Sequence, residues 1–249
     1  MDSKPWTEKV VLVTGANSGI GKCLTECLVG KGMTVVGIAR RIDKIKMLAD
    51  ELKSKPGKLV PAQCDLTNQA EIQRTLEWIE KNLGAVDILI NNAAVNIDLK
   101  VQSGDMEDWK KTFDVNLFGL TCMTKETLNL MKRKGINNGI IVNINDTCGW
   151  KIPVTCNRPV SPAYIASKLA LSALTECLRM ELMQVKSNIK VMSITPGLVE
   201  TDMTAQWLKE NPSMPLKPKD VADCILFALQ TPENVLIKEL VVTPIRDTM

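Results

Sequence analysis

The chain has no histidine and a single tyrosine, Tyr164, among its 249 residues. Without histidine, Ser-His-Asp and Cys-His nucleophilic catalysis are excluded, as is an imidazole-ligated metal site. Proton transfer is left to Tyr, Lys, Asp, Glu or Cys. Long apolar runs are missing as well, and none approaches the roughly 20 residues needed to span a bilayer. Nor is there an excess of one charge: 31 basic against 28 acidic residues leave a net +3, which is no footprint for nucleic acid or an anionic membrane surface. The eight cysteines form no CxxC; Cys23 and Cys27 stand at helical spacing, and Cys64, Cys122, Cys148, Cys156, Cys177 and Cys224 are scattered. Met1–Lys9 carries no signal-peptide pattern, so free thiols in a reducing cytoplasm are expected. The sequon Asn145-Asp146-Thr147 is accordingly expected to stay unglycosylated.

What is present alternates. Val10–Val13, Val35–Ile38, Leu59–Ala62, Val86–Ile90, Ile140–Ile144, Val191–Ile194 and Leu240–Val242 are short, β-branched and apolar on both faces, as parallel strands covered on both sides should be. Between them, Ile20–Gly30, Asp43–Lys55, Gln69–Leu83, Met106–Lys134 and Ala163–Val185 place apolar residues three and four apart. This order predicts an α/β fold: a Rossmann-type, doubly wound, mostly parallel sheet of seven strands with helices on both faces. No repeat or linker divides residues 1–249, so one dinucleotide-binding domain is expected. Two proline-rich stretches, 148–162 and 198–218, follow strands. Ligands in such sheets bind beyond the strands' carboxyl ends, so both stretches are expected to act as substrate loops.

The strand at Lys9–Val13 leads into Thr14-Gly15-Ala16-Asn17-Ser18-Gly19-Ile20-Gly21 and then a helix. Gly15, Gly19 and Gly21 allow a tight turn and close approach of a pyrophosphate to the backbone. The helix start, through Asn17, Ser18 and Ile20, offers free N–H groups and the positive end of its dipole. The second strand ends at Arg40-Arg41 with no acid at its tip. Arginine there favours a 2′-phosphate and hence NADP(H), although Asp43 or Asp65 would suit NAD if either reached the ribose. Tyr164 stands four residues before Lys168, on the same face of a helix. A lysine ammonium beside a phenol stabilises the phenolate and makes a proton donor or acceptor suited to carbonyl and alcohol chemistry.

Taken together, these elements resemble the single-domain short-chain dehydrogenases/reductases over nearly the whole chain. Thr14–Gly21 resembles that family's cofactor loop, and Tyr164 with Lys168 its YxxxK pair. Asn91-Asn92-Ala93-Ala94 resembles the NNAG element, with Ala94 for the usual glycine, and Cys64-Asp65-Leu66 the stretch that contacts adenine. Asn116 resembles the helix asparagine that holds a relay water. Pro196-Gly197-Leu198-Val199-Glu200-Thr201 resembles the segment that closes over the nicotinamide. The phrases Ile140–Asp146, Tyr164–Lys168 and Leu174–Leu182 are most similar to the NADP-dependent branch that includes farnesol dehydrogenases. The resemblance implies hydride transfer between NADP(H) and a small apolar alcohol or carbonyl. It assigns cofactor contacts to Asn92, Ala93, Asp65, Leu66, Pro196, Gly197, Val199 and Thr201, and it implies a homodimer or homotetramer.

One position departs from the family. Where a serine is usual before the tyrosine, Asn143-Ile144-Asn145-Asp146 places a carboxylate. An ionised Asp146 would oppose a developing alkoxide and the Tyr164 phenolate. Three outcomes follow: a protonated Asp146 donates in an apolar pocket, Thr147 or Ser161 supplies the hydroxyl, or the chain binds NADP(H) and an apolar ligand with little or no turnover.

Overall fold

A computed structural model of the chain describes residues 6–152 and 160–245. The β-branched runs form a seven-stranded sheet from β1 (Val10–Thr14), β2 (Thr34–Ala39), β3 (Lys58–Gln63), β4 (Ile88–Asn91), β5 (Ile140–Ile144), β6 (Lys190–Pro196) and β7 (Glu239–Val242). Every pairing is parallel, in the order β3-β2-β1-β4-β5-β6-β7. Successive side chains of a strand point to opposite faces. Val11, Val13, Ile88, Ile90 and Val142 therefore join one buried layer, whereas Leu12, Val36, Leu89 and Ile141 join the other. The helices α1 (Gly19–Gly30) and α8 (Pro218–Leu229) cover the first layer, and α3 (Gln69–Leu83) and α5 (Leu120–Arg133) cover the second. The strand order reverses between β1 and β4, which puts a crevice at their carboxyl ends.

The element bounds differ from expectation where side chains override the apolar pattern. β4 begins at Ile88 because Asp87 is spent on the chain itself: its carboxylate accepts from the Val10 N–H at 2.7 Å, and its backbone bonds Val10 and Ile140. The helix α2 (Asp43–Glu51) stops short of Lys55. The expected helix Met106–Lys134 is three pieces: α4 (Met106–Phe113), a π-helical segment Asp114–Gly119, and α5. In that segment a Cβ on Gly119 would stand 2.5 Å from the Leu66 carbonyl, so only glycine lets it pack there.

The longest helix, α6 (Pro162–Gln184), starts with Ser161 as its cap and Pro162 in its first turn. Within the stretch 198–218 lies a short helix, α7 (Ala205–Glu210). α8 escaped the sequence reading, although Pro218 in its first turn and the Asp220 carboxylate on the Lys217 N–H (2.7 Å) form a recognisable start. Pro153, Cys156 and Pro159 of the other expected loop lie outside the described residues. Among the described residues, no helix is long and apolar enough to cross a membrane.

Candidate functional site

The crevice begins at the glycine loop. Gly15 and Gly19 adopt φ of 67° and 53°, a left-handed conformation that a side chain resists. A Cβ on Gly21 would stand 2.3 Å from the Gly15 carbonyl and 2.4 Å from Asn92 Nδ2. Gly21 therefore does not line the cleft but lets the first turn of α1 tuck beneath the loop. Asn92 fastens this arrangement: its Nδ2 donates to the carbonyls of Thr14 (2.9 Å) and Gly15 (3.2 Å). The N–H groups of Asn92 and Ala93 both donate to Thr14 Oγ1 at 2.9 Å. Gly15, Asn17, Ser18, Gly19 and Ile20 face the cleft, at a helix N-terminus suited to an anion.

At the end of β2 the two arginines separate. Arg40 lines the cleft; Arg41 is exposed and does not, nor does Asp43, which opens α2. Asp65 and Leu66 line the opposite side, where Asp65 Oδ1 accepts from the backbone and hydroxyl of Thr67, both at 2.9 Å. The cleft thus presents a cation at the strand tip where a 2′-phosphate would sit.

At the other end, α6 projects Tyr164 and Lys168 into the cleft. Both are buried, Tyr164 at 5% exposure and Lys168 at 3%. Lys168 Nζ donates to the Ile144 carbonyl at 2.8 Å and lies 5.5 Å from the Tyr164 ring centre. Burial pulls the Lys168 ammonium below the usual lysine range, with the Asp146 charge opposing that shift. The Tyr164 hydroxyl donates to Asp146 Oδ2 at 3.4 Å, a long contact, while Asp146 Oδ1 accepts from the Cys148 N–H at 2.8 Å and caps the following turn. Asp146 lines the cleft; Thr147 and Ser161 do not. Ser161 Oγ instead caps α6 by accepting from the Tyr164 N–H at 3.3 Å. The polar group standing at the phenol is therefore the carboxylate; of the two hydroxyls suggested as substitutes, that of Thr147 reaches Asp146 Oδ1 at 3.4 Å from outside the cleft lining, and that of Ser161 caps α6.

Asn116 is buried behind this end and does not line the cleft. Its Oδ1 accepts from the Val95 N–H at 2.8 Å, and its Nδ2 donates to the Val95 carbonyl (2.9 Å) and to Ser167 Oγ (3.1 Å). Its side chain thus ties the strand exit at Val95 to α6, and the π-helical segment is the local deformation that places it. Under the floor, Asn91, Asn143, Thr124 and Thr175 form a buried hydrogen-bonded chain linking β4, β5, α5 and α6 at 2.9 Å per bond.

Pro196, Gly197, Val199 and Thr201 close the remaining wall. This segment is pinned: the Gly197 N–H donates to Val242 (2.7 Å), Glu200 and Leu216 bond across it, and Thr204 Oγ1 donates to the Val199 carbonyl at 2.6 Å. Val160, Leu198, Asp202 and Met203, from the two stretches expected to act as substrate loops, also line the cleft, together with Val95 and Asn96 after β4, which the sequence did not mark. They come from loops, where no periodicity marks them, and make the substrate end largely apolar. Among the described residues no cluster could hold a metal ion.

A glycine loop at a helix start, a cation at the second strand's tip and a buried phenol–ammonium pair at the far end suit a dinucleotide and proton transfer. The family model for short chain dehydrogenases matches residues 9–212. The mouse dehydrogenase/reductase SDR family member 11 is 37% identical, across 96% of this chain and 95% of its own length. The farnesol dehydrogenase of Aedes aegypti is 36% identical, across 96% and 97%. Among solved structures, the closed form of a serine dehydrogenase complexed with NADP+ superposes with a TM-score of 0.85 at 29% identity, over 96% of both chains.

Proposed function

The chain belongs to the short-chain dehydrogenase family, and on that premise we propose that it is an NADP(H)-dependent oxidoreductase interconverting an apolar, terpenoid-like alcohol and its aldehyde or ketone. The observation that carries this reading is the continuous cleft running from Gly15 and Arg40 to Tyr164, Lys168 and Asp146. Residues 1–249 act as one dinucleotide-binding domain. The loop glycines form a cradle that a Cβ would fill, and Arg40 suits the extra phosphate, so the residues fit NADP(H). Relatives support the same choice, since a serine dehydrogenase neighbour carries NADP+ and a farnesol dehydrogenase is among the similar proteins.

When bound, the dinucleotide supplies or accepts the hydride. Tyr164 moves the proton, as acid in reduction and base in oxidation. Lys168 favours the phenolate by its charge and holds the ribose. The π-helical segment around Asn116 positions the relay water. Gly15, Asn17, Ser18, Gly19 and Ile20 hold the pyrophosphate, Asp65 and Leu66 the adenine, and Asn92, Ala93, Pro196, Gly197, Val199 and Thr201 the remaining wall. Gly21 and Arg41 contribute by packing and general charge. Val95, Val160, Leu198 and Met203 select apolar substrates. Association into a dimer or tetramer uses the faces bearing Phe118, Met180 and Met183, all exposed in the single chain.

Arg40→Ala tests the cofactor: the Kd for NADP+ rises at least about tenfold, the worth of one charge-assisted hydrogen bond, while NAD+ binding is unchanged. Equal NADP+ affinity in variant and parent would remove the 2′-phosphate argument.

A second reading, a dinucleotide-binding protein without turnover, is favoured by the carboxylate 3.4 Å from the phenol. Asp146→Ser separates the two. If Asp146 orients the working hydroxyl, turnover falls about tenfold. A rise of that size would mean that the aspartate suppresses catalysis.

A further inference from the structure

Cys23 and Cys27 stand four residues apart on α1, one turn apart on the same face of the helix. Neither lines the dinucleotide cleft, and both are half-buried against the core. Cys23 opens instead on a second, shallower cleft between α1 and the segments 200–205 and 217–219, beside Lys22, Glu26 and Lys219. Gly19 and Thr201 line both clefts. A Cβ on Gly19 would meet Thr201 Cγ2 at 3.1 Å, so the wall between the clefts is one layer of touching residues.

We propose that Cys23 and Cys27 form a two-thiol site for a trivalent mono-organoarsenical, whose organic group lodges in the second cleft and loosens the wall shared with the dinucleotide cleft. The reaction balances without an oxidant. The arsenic–oxygen double bond of R–As=O gives way to two arsenic–sulfur bonds, both thiol protons leave on the oxygen as water, and arsenic stays trivalent.

Geometry favours this bridge over a disulfide. Residues four apart on a helix hold their Cβ atoms about 5–6 Å apart, whereas a disulfide wants roughly 3.5–4.5 Å, so closing one would distort α1. A bridging centre bonded to each sulfur at about 2.3 Å, as in metal–thiolate sites, joins two sulfurs that stand farther apart than the roughly 2.05 Å of a disulfide. No group of three or more His, Cys, Asp or Glu suited to a metal ion occurs among the described residues, and an arsenical with one organic substituent is satisfied by two sulfurs.

The electrostatics select in the same direction. Burial, with the Cys27 and Glu26 charges, pushes the Cys23 thiol up to about 11, and burial raises Cys27 as well, against the Lys219 charge. A scarce thiolate resists peroxide and alkylating agents. The dithioarsenical is neutral, so burial does not oppose it.

Phenylarsine oxide added to the full chain tests the site. One equivalent should remove two titratable thiols, the adduct should map to the α1 peptide holding both cysteines, and a small dithiol should reverse it. Cys23→Ser and Cys27→Ser should each weaken this uptake at least a hundredfold, whereas Cys177→Ser should not. Undiminished uptake by Cys23→Ser, or an adduct mapping elsewhere, overturns the proposal. The effect on the shared wall rests on the dinucleotide reading above: the adduct should raise the Kd for NADP+ tenfold or more, and an unchanged Kd overturns that coupling. Failure of the untreated protein to bind NADP+ would refute the dinucleotide reading, while the thiol titration would still decide the arsenical site.

Discussion

Tyr164→Phe lowers kcat for any accepted alcohol or carbonyl by about 10²–10⁴-fold, the usual worth of a positioned proton donor, and leaves NADP+ affinity within a few-fold of the parent. The substitution removes one oxygen and keeps the ring. The ring is buried and packs 5.5 Å from the Lys168 ammonium, so its loss of function cannot be ascribed to a cavity. It breaks the long hydrogen bond to Asp146 Oδ2 at 3.4 Å, and the loss of so long a bond costs little stability. Stopped-flow kinetics with a thermal melt checks both halves. Near-full turnover by the variant would remove Tyr164 from the mechanism.

Lys168→Met is expected to split activity from stability. A unit charge 5.5 Å from the ring centre is worth about 3 kcal/mol to a phenolate at an effective dielectric of about 20, so its removal costs about a hundredfold in rate. Stability moves the other way. Burial lowers the affinity of Lys168 for its proton in the folded chain, so the unfolded chain binds more protons between that depressed pKa and the ordinary value near 10.4. The slope of stability with pH in this window is therefore positive. At neutral pH the burial of this amine weighs against the fold, and methionine of similar length relieves it. The variant's melting temperature should exceed the parent's near pH 7 without cofactor, and the gap should narrow as pH rises toward 10. A lower melting temperature at every pH would show that the Ile144 hydrogen bond outweighs the burial of the amine.

The sheet was legible because its strands are buried on both faces, so Val35–Ile38 and Ile140–Ile144 read as continuous β-branched runs. The glycine loop and the Tyr164–Lys168 pair were legible for a related reason: backbone shape and one-turn spacing constrain residue type locally. The π-helical segment was not, because one extra residue leaves apolar positions three and four apart, and the contacts of Asn116 with Val95 and Ser167 join segments 21 and 51 residues distant. Arg40 and Arg41 were indistinguishable in sequence, and only the path of the chain just beyond β2 brings Arg40 and not Arg41 to the cleft. The apolar wall from Val95, Val160, Leu198 and Met203 depends on loop paths that no period encodes. Asp146 stood out at once as a departure from the family pattern, yet its place as the polar partner of the phenol emerged only when Thr147 and Ser161 proved to lie outside the cleft lining.

The central claim is that this cleft performs hydride transfer, with NADP(H) and Tyr164 as its working parts. Its most direct test is the absorbance of NADPH formed from NADP+ and a panel of terpenoid, fatty, steroid and aromatic alcohols, with the matching carbonyls run in reverse. The account predicts turnover with at least one apolar pair and none in Tyr164→Phe beyond a hundredth of that rate. Tight NADP+ binding with no NADPH formed or consumed across the whole panel would contradict it.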